Sequence, residues 1–341
     1  MDYKQSGVDI DAGNETVRRI KALARATFTP AVLSEIGSFG GLFRFEATRY
    51  RDPVLVASAD GVGTKLKVAV MAGRHDTVGA DLVNHCVNDI LVQGARPLFF
   101  LDYLATGVLA PEVAAQVVEG MARACRDSGC VLLGGETAEM PGFYAPGEYD
   151  LAGFIVGVVE CERVIDGCEL RAGDRLVGVP SSGLHTNGYS LARRIAFDTL
   201  GLQTTSLVPE LGEPLGEALL RPHRSYLRLV EPLLDERLVV GMAHITGGGI
   251  TDNLPRIFPD GVGAVIDRST WKVPAIFGWL QAAGEVPDQD MWRTFNMGIG
   301  LIVACRPERV RRVLDLLAGA GETDGRVIGE IVEGERKVGY L

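Results

Sequence analysis

The chain has 341 residues, 47% hydrophobic and 23% charged, with 34 Lys and Arg against 44 Asp and Glu for a formal net charge of −10. This length is more than one hydrophobic core usually organises, and the composition is that of a folded globular protein rather than a disordered one. The acidic balance, with no long Lys/Arg run, excludes broad neutralisation of a nucleic-acid backbone, so any phosphate must be met by local devices.

The opening Met1-Asp2-Tyr3-Lys4-Gln5 has no apolar leader, and the clearest apolar run, Leu151 to Val159, is too short to span a bilayer. The six cysteines form no C-x-x-C pair, so the expectation is a cytoplasmic protein with reduced thiols and no disulfides. After residue 50, β-like runs alternate with helical periodicity, which predicts an α/β protein. The strand near 53–59 leads into Asp60-Gly61-Val62-Gly63-Thr64-Lys65. Glycines let backbone N–H groups approach an anion, the lysine brings charge, and the aspartate suits Mg²⁺. The spacing is not G-x-x-x-x-G-K-[ST], and a tight turn with a surface lysine is the competing reading.

A helix near 76–94 buries Val78, Leu82, Val83, Cys86, Val87, Ile90 and Leu91 on one face and puts Asp81, His85 and Asp89 on a shared edge. One transition-metal ion held by all three is disfavoured, because roughly 12 Å of helix separates the outer two. Next come a strand at Pro97–Tyr103, a helix over 111–127, and a strand at 131–133 ending in Gly134-Gly135-Glu136-Thr137. Asp60 and Glu136 follow strands whose ends could converge, with Asp89 joining from the helix as an oxygen-ligand set for Mg²⁺. A solvated helix edge for Asp89 and a turn cap for Glu136 are the plain alternatives.

The polar stretch Cys161–Gly173 marks a boundary, giving domains 1–168 and 169–341. The second half begins with a strand over 175–180. The loop Ser181-Ser182-Gly183-Leu184-His185-Thr186-Asn187-Gly188 then precedes a helix over 189–200, an arrangement suited to anion recognition. His185 reads either as a proton carrier or as a loop histidine with a local hydrogen bond. The segment does not match G-x-S-x-G. A strand over 238–245 ends in Thr246-Gly247-Gly248-Gly249, which repeats the glycine device. Residues 201–221 carry only weak helical signal.

In this order, the motifs Gly7–Asn14, Asp60–Lys65, Cys86–Asp89, Pro97–Tyr103, Gly134–Gly142, Ser182–Ser190 and Thr246–Gly249 resemble the phosphoribosylformylglycinamidine cyclo-ligase family over nearly the whole length. Leu184 and Thr186 stand where the family pattern has proline and serine, and Ile250–Asn253 departs from its more aromatic and acidic helix start. The resemblance implies ATP-dependent closure of formylglycinamidine ribonucleotide to aminoimidazole ribonucleotide, through a phosphorylated formyl oxygen, with release of ADP and phosphate.

It also implies a two-domain ATP-dependent synthetase fold of α/β (α+β) type. The N-terminal domain would bind ATP and form a dimeric, β-barrel-like interface, and the C-terminal α/β domain would bind substrate and phosphate. By carry-over, Lys21, Asp60, Gly61, Gly63, Thr64, Lys65, Asp89, Gly134, Gly135, Glu136 and Thr137 meet ATP, with Asp60, Asp89 and Glu136 on Mg²⁺. Ser181, Ser182, Gly183, His185, Thr186, Asn187, Gly188, Thr246, Gly247, Gly248 and Gly249 meet substrate or phosphate; His185, Lys65 and Asp89 are the catalytic candidates. The partners implied are a small-molecule substrate and a second copy of the chain, with neither nucleic acid nor membrane. The rival readings are another enzyme of the same superfamily, such as a selenophosphate synthetase or thiamine-phosphate kinase, and a non-catalytic nucleotide sensor. The first cysteine, Cys86, lies far from the N-terminal glycine segment where a selenophosphate synthetase carries its reactive residue.

Overall fold

The computed structural model describes residues 7–341; the Met1–Gln5 stretch lies outside the described residues. The chain forms two compact units, one running to Ile90 and from Ala95 to Glu162, the other taking Leu91–Gly94 and Arg163–Leu341.

The first unit contains α1 (Ile10–Arg25), β1 (Pro53–Gly61), α2 (Lys65–Ala72), most of α3 (Asp76–Leu91), β2 (Arg96–Thr106), α4 (Pro111–Asp127), β3 (Val131–Glu139) and β4 (Tyr149–Glu160). Its sheet has the order β1-β4-β2-β3. β4 is antiparallel to both β1 and β2, and β2 is parallel to β3, so β1, β2 and β3 all point the same way. The helix-covered face is dense: Phe100, Leu82 and Ile90 are fully buried, and a Cβ on Gly153 would lie 2.3 Å from the Phe100 ring. α3 and α4 cross in backbone contact, where a Cβ on Gly79 would sit 1.9 Å from Val117 O and one on Gly120 2.0 Å from Asp76 O.

The second unit contains β5 (Arg175–Pro180), α5 (Tyr189–Arg193), β6 (Leu207–Val208), β7 (Glu213–Pro214), α6 (Leu215–Leu220), α7 (Leu227–Asp235), β8 (Val239–His244), α8 (Gly249–Asn253) and β9 (Val262–Ile266). α9 (Ala275–Gly284), α10 (Asp288–Thr294), β10 (Ile299–Cys305), α11 (Val310–Gly319), β11 (Arg326–Glu333) and β12 (Val338–Tyr340) complete it. Its six-stranded sheet runs β12-β9-β11-β5-β10-β8 and is antiparallel except for β12 on β9. β10 is buried along its whole length, as its apolar run from Ile299 to Cys305 requires of a strand covered on both faces.

The mixed helix and sheet architecture is the one expected, on the α+β side, since most strand pairs are antiparallel. Among the described residues neither sheet closes into a barrel. The predicted helix over 189–200 is α5 continued by a π-helical Arg194–Thr199, and the weakly patterned 201–221 holds the small β6–β7 hairpin and α6. All six cysteines are free thiols. No helix of the described residues is long and apolar enough to cross a membrane.

Candidate active site

In the first unit, the turn after β1 is shaped by its own residues. Gly61 N donates to Asp60 Oδ1 at 2.7 Å, Gly63 takes φ +65°, and Thr64 caps α2 by position. Asp60 projects toward α3, where His85 Nε2 lies 2.8 Å from Asp60 Oδ2 and 3.8 Å from Asp89 Oδ2. Ser58 Oγ donates to Asp89 Oδ2 at 3.1 Å. Two carboxylates from a strand end and a helix edge thus meet around one buried imidazole. Burial works to lower the His85 pKa, but the Asp60 hydrogen bond and the charges of Asp89, Asp60 and Asp81 outweigh it, so the imidazole is raised above its ordinary value.

Lys65 departs from the expected pose of a phosphate ligand. Its side chain is fully buried, with Nζ 2.8 Å from Asp81 Oδ2, itself fully buried. Desolvation lowers the ammonium pKa while Asp81 acts to raise it. The lysine therefore stands beneath the turn, anchoring the start of α2 to α3. Asp81 pairs with Lys65, while Asp89 on the same helix edge accepts from Ser58.

Glu136 is not brought to Asp60 within the chain. The register places Asp60, Gly153, Asp102 and Gly135 in one row across β1, β4, β2 and β3. At about 4.8 Å per strand, Asp60 and the β3 end stand roughly 14 Å apart. Glu136 falls in the next row, beside Tyr103, and so projects to the opposite face. The expectation that the strand ends share a direction holds; the insertion of β4 between β1 and β2 separates the side chains. One ion cannot be shared by Asp60, Asp89 and Glu136 of the same chain.

Gly134, Gly135 and Thr137 lie on β3, and a Cβ on Gly135 would strike Asp102 Oδ1 at 2.2 Å. Asp102 itself has a pKa pushed up to about 7, by burial above all and then by the neighbouring Glu136 charge. Lys21 lies half-buried on α1. Glu139, at the end of β3, accepts from Asp9 N and Leu109 N, each at 2.7 Å, and joins the N-terminal motif to the β3 motif.

In the second unit the two glycine loops come together. β5 and β8 run the same way on either side of β10, so 181–188 and 246–249 leave the same edge of the sheet. Gly247 faces Asn187: a Cβ there would lie 3.2 Å from Asn187 Oδ1. Asn253 Nδ2 donates to Gly249 O at 2.8 Å and to Gly247 O at 3.0 Å, holding the second loop. His185 is buried at φ +61°, a left-handed conformation uncommon for a side-chain-bearing residue. Ser182 N donates to its Nε2 at 3.2 Å, so the neutral ring carries its proton on Nδ1.

Several groups expected to face an anion point inward instead. Ser182 Oγ donates to Pro222 O at 2.6 Å, and Ser181 Oγ lies 2.9 Å from Asn296 Oδ1. Gly183 O accepts from Asn296 Nδ2, and a Cβ on Gly188 would collide with the Phe295 ring at 2.2 Å. Thr186 Oγ1 lies 3.3 Å from His223 Nδ1. Gly248 and Gly249 both take positive φ as they enter α8. His223 and Asn296 carry no motif of their own and reach the loop from distant segments, whereas His244 opens the stretch that leads into Thr246-Gly247-Gly248-Gly249.

The family described as "AIR synthase related protein, N-terminal domain" matches residues 45–159, and "AIR synthase related protein, C-terminal domain" matches 171–341. The phosphoribosylformylglycinamidine cyclo-ligase of Trichlorobacter lovleyi is 56% identical over 329 residues, covering 96% of this chain and 94% of the relative. That of Geobacter sulfurreducens is 54% identical over 333 residues, covering 98% and 95%. Among solved structures, a thiamine-monophosphate kinase from Stenotrophomonas maltophilia superposes with TM-score 0.67 at 19% identity, covering 96% of this chain and 95% of that one. The hydrogenase maturation protein HypE in complex with ATP superposes with TM-score 0.66 at 19% identity, covering 93% and 86%. The last two show a common fold. Full-length identity above half, over both matched domains, carries the conclusion that this chain belongs to the phosphoribosylformylglycinamidine cyclo-ligase family, the ATP-dependent ligases that close an imidazole ring in purine biosynthesis.

Proposed function

We propose that the first unit holds Mg²⁺·ATP at Asp60 and Asp89 and that the paired glycine loops of the second unit hold the phosphate-bearing formylglycinamidine ribonucleotide. The observation that carries the reading is the convergence of Asp60 and Asp89 on His85. The donor set fits Mg²⁺: two partly exposed carboxylates leave room for the phosphate oxygens and waters that this cation keeps. Bound there, Mg²⁺ supplies charge neutralisation at the triphosphate.

The chain's own residues do the positioning. Lys65, through Asp81, fixes the turn that presents Gly61, Gly63 and Thr64, and Lys21 belongs to the same nucleotide site. ATP's γ-phosphoryl passes to the substrate's formyl oxygen, forming an O–P bond as ADP leaves. A nitrogen of the same substrate then attacks the formyl carbon, a C–N bond forms, and the oxygen departs with phosphate. His185, with Nε2 held by Ser182 N, serves to stabilise charge that develops on the substrate. Thr186, Asn187 and Thr246–Gly249 complete the substrate cradle.

Glu136 lies on the edge strand β3, three strands from Asp60. It serves a nucleotide site near a homodimer interface, and the exposed side chains of Leu55 and Phe154 on the open sheet face support that assembly. The chain acts in the cytoplasm. Incubation of the purified chain with ATP, Mg²⁺ and formylglycinamidine ribonucleotide is expected to yield ADP, phosphate and aminoimidazole ribonucleotide in equal amounts. ADP release that ignores this substrate, or that instead follows thiamine monophosphate or selenide, would sink the reading. Asp60→Asn should raise the KM for Mg·ATP at least about tenfold with the fold intact, and unchanged ATP kinetics would remove Asp60 from the site.

A further inference from the structure

Three of the chain's five histidines gather at one place in the second unit: His185 on the loop after β5, His223 before α7, and His244 at the end of β8. All three are buried, and one ring nitrogen from each lies within 4.8 Å of the other two. His223 Nε2 and His244 Nε2 are 3.0 Å apart. His223 is oriented by Thr186 Oγ1 at its Nδ1, and His185 by Ser182 N at its Nε2. That pattern, one ring nitrogen engaged by a neighbour and the other turned to a common point, is how ligand histidines are held in metal proteins.

We propose that His185, His223 and His244 form a binding site for a transition-metal cation that prefers imidazole, with Zn²⁺ as the representative. A donor set of three imidazoles suits Zn²⁺, Cu²⁺ or Ni²⁺, whereas Mg²⁺ takes hard oxygens. Bonds of 2.0–2.1 Å at tetrahedral angles set ligand nitrogens about 3.3 Å apart. The His223–His244 pair is already near that spacing. His185 and His223 are stacked, with centroids 4.0 Å apart and planes at 20°, so one ring must turn about its χ2 to converge. The metal replaces the proton shared between His223 and His244, and a water or an anionic oxygen takes the fourth position, as in open three-histidine sites.

The test uses the full-length protein, stripped with chelator and titrated with Co²⁺ and then Zn²⁺ alone. The expected result is one equivalent of Co²⁺ with the visible absorption of a tetrahedral site and no thiolate charge-transfer band. Zn²⁺ should displace it. His223→Asn should weaken Co²⁺ binding by more than the roughly 10–100-fold that loss of an orienting neighbour brings. Removing the exposed thiols, as Cys161→Ser with Cys168→Ser, should leave the spectrum unchanged. Absence of the Co²⁺ band, or equal binding by wild type and His223→Asn, overturns the proposal. Should His223→Asn not fold, X-ray absorption on Zn²⁺-loaded wild type decides. Three imidazole nitrogens at about 2.0–2.1 Å uphold the site, and a sulfur shell at about 2.3 Å or fewer than three imidazoles overturns it.

Discussion

Lys65 and Asp81 hold each other in a place where neither touches solvent, and breaking such a pair from one side strands the other charge. Lys65→Met is accordingly expected to lower stability by about 3–5 kcal/mol, read as a shift in the denaturant midpoint, while Lys65→Met with Asp81→Leu recovers most of it. Equal midpoints for wild type and Lys65→Met would show that the ammonium is solvated. Asp102 gives a second test at this scale. Its folded-state pKa of about 7 exceeds the ordinary carboxyl value, so between about pH 4 and 7 the folded state binds more protons than the unfolded one. The Asp102 contribution to stability is therefore complete below about pH 4 and is lost as pH rises through 7. Melting temperatures of Asp102→Asn should fall less than those of wild type across that window; parallel curves would refute the assignment. The chemical type of these side chains was readable from the sequence, but their partners were not. Nothing in Asp60–Lys65 says that its lysine turns under the turn to meet an aspartate sixteen positions on.

Elements with strong periodicity were legible: the helix predicted over 111–127 is α4, and the strand over 175–180 is β5. α2 carries no clear sequence signal, because Lys65–Ala72 has a weak amphipathic pattern, which follows from its burying Leu66, Val68 and Ala69 along with the lysine. Lateral order was the harder matter. Alternating strands and helices suggest neighbours in sequence order, but β4 crosses back between β1 and β2, and that step parts Glu136 from Asp60. The loops 181–188 and 246–249 read as similar devices in the sequence; their meeting depends on β10 lying between β5 and β8, a long-range pairing without local signature. The close crossing of α3 and α4 is another such feature, with a concrete consequence. Gly79 admits no side chain, because its Cβ would fall 1.9 Å from a carbonyl oxygen on the facing helix. Gly79→Val should therefore destabilise by about 3 kcal/mol or more, at the upper end of overpacking, by prising apart the helix that carries His85 and Asp89. Chemical denaturation measures this directly, and a loss below about 1 kcal/mol would mean that the helices separate easily.

At the scale of the whole molecule, the open face of the first unit's sheet calls for a cover. Leu55 is 61% exposed and Phe154 47%, and they stand on adjacent edge and inner strands, with Phe154 level with Ala59. β1 alternates, its even positions turned toward the helices and Leu55, Ala57 and Ala59 toward the open side. A sheet face apolar on its outer side is stable in water when a second apolar surface meets it, and a symmetric dimer provides one from the same sequence. In the proposed dimer, Glu136, which projects to that open face from β3, would meet a neighbour other than its own Asp60. Introducing charge at the centre of the patch, as Phe154→Lys with Leu55→Glu, should convert a dimer to a monomer in sedimentation velocity at micromolar concentration. Because the nucleotide site is proposed to lie near this interface, the same variant should lose most of its ATP turnover while its circular dichroism stays that of wild type. A wild-type chain that sediments as a monomer at those concentrations, or a charged variant that remains dimeric and fully active, would move the interface elsewhere and return Glu136 to the role of a surface carboxylate.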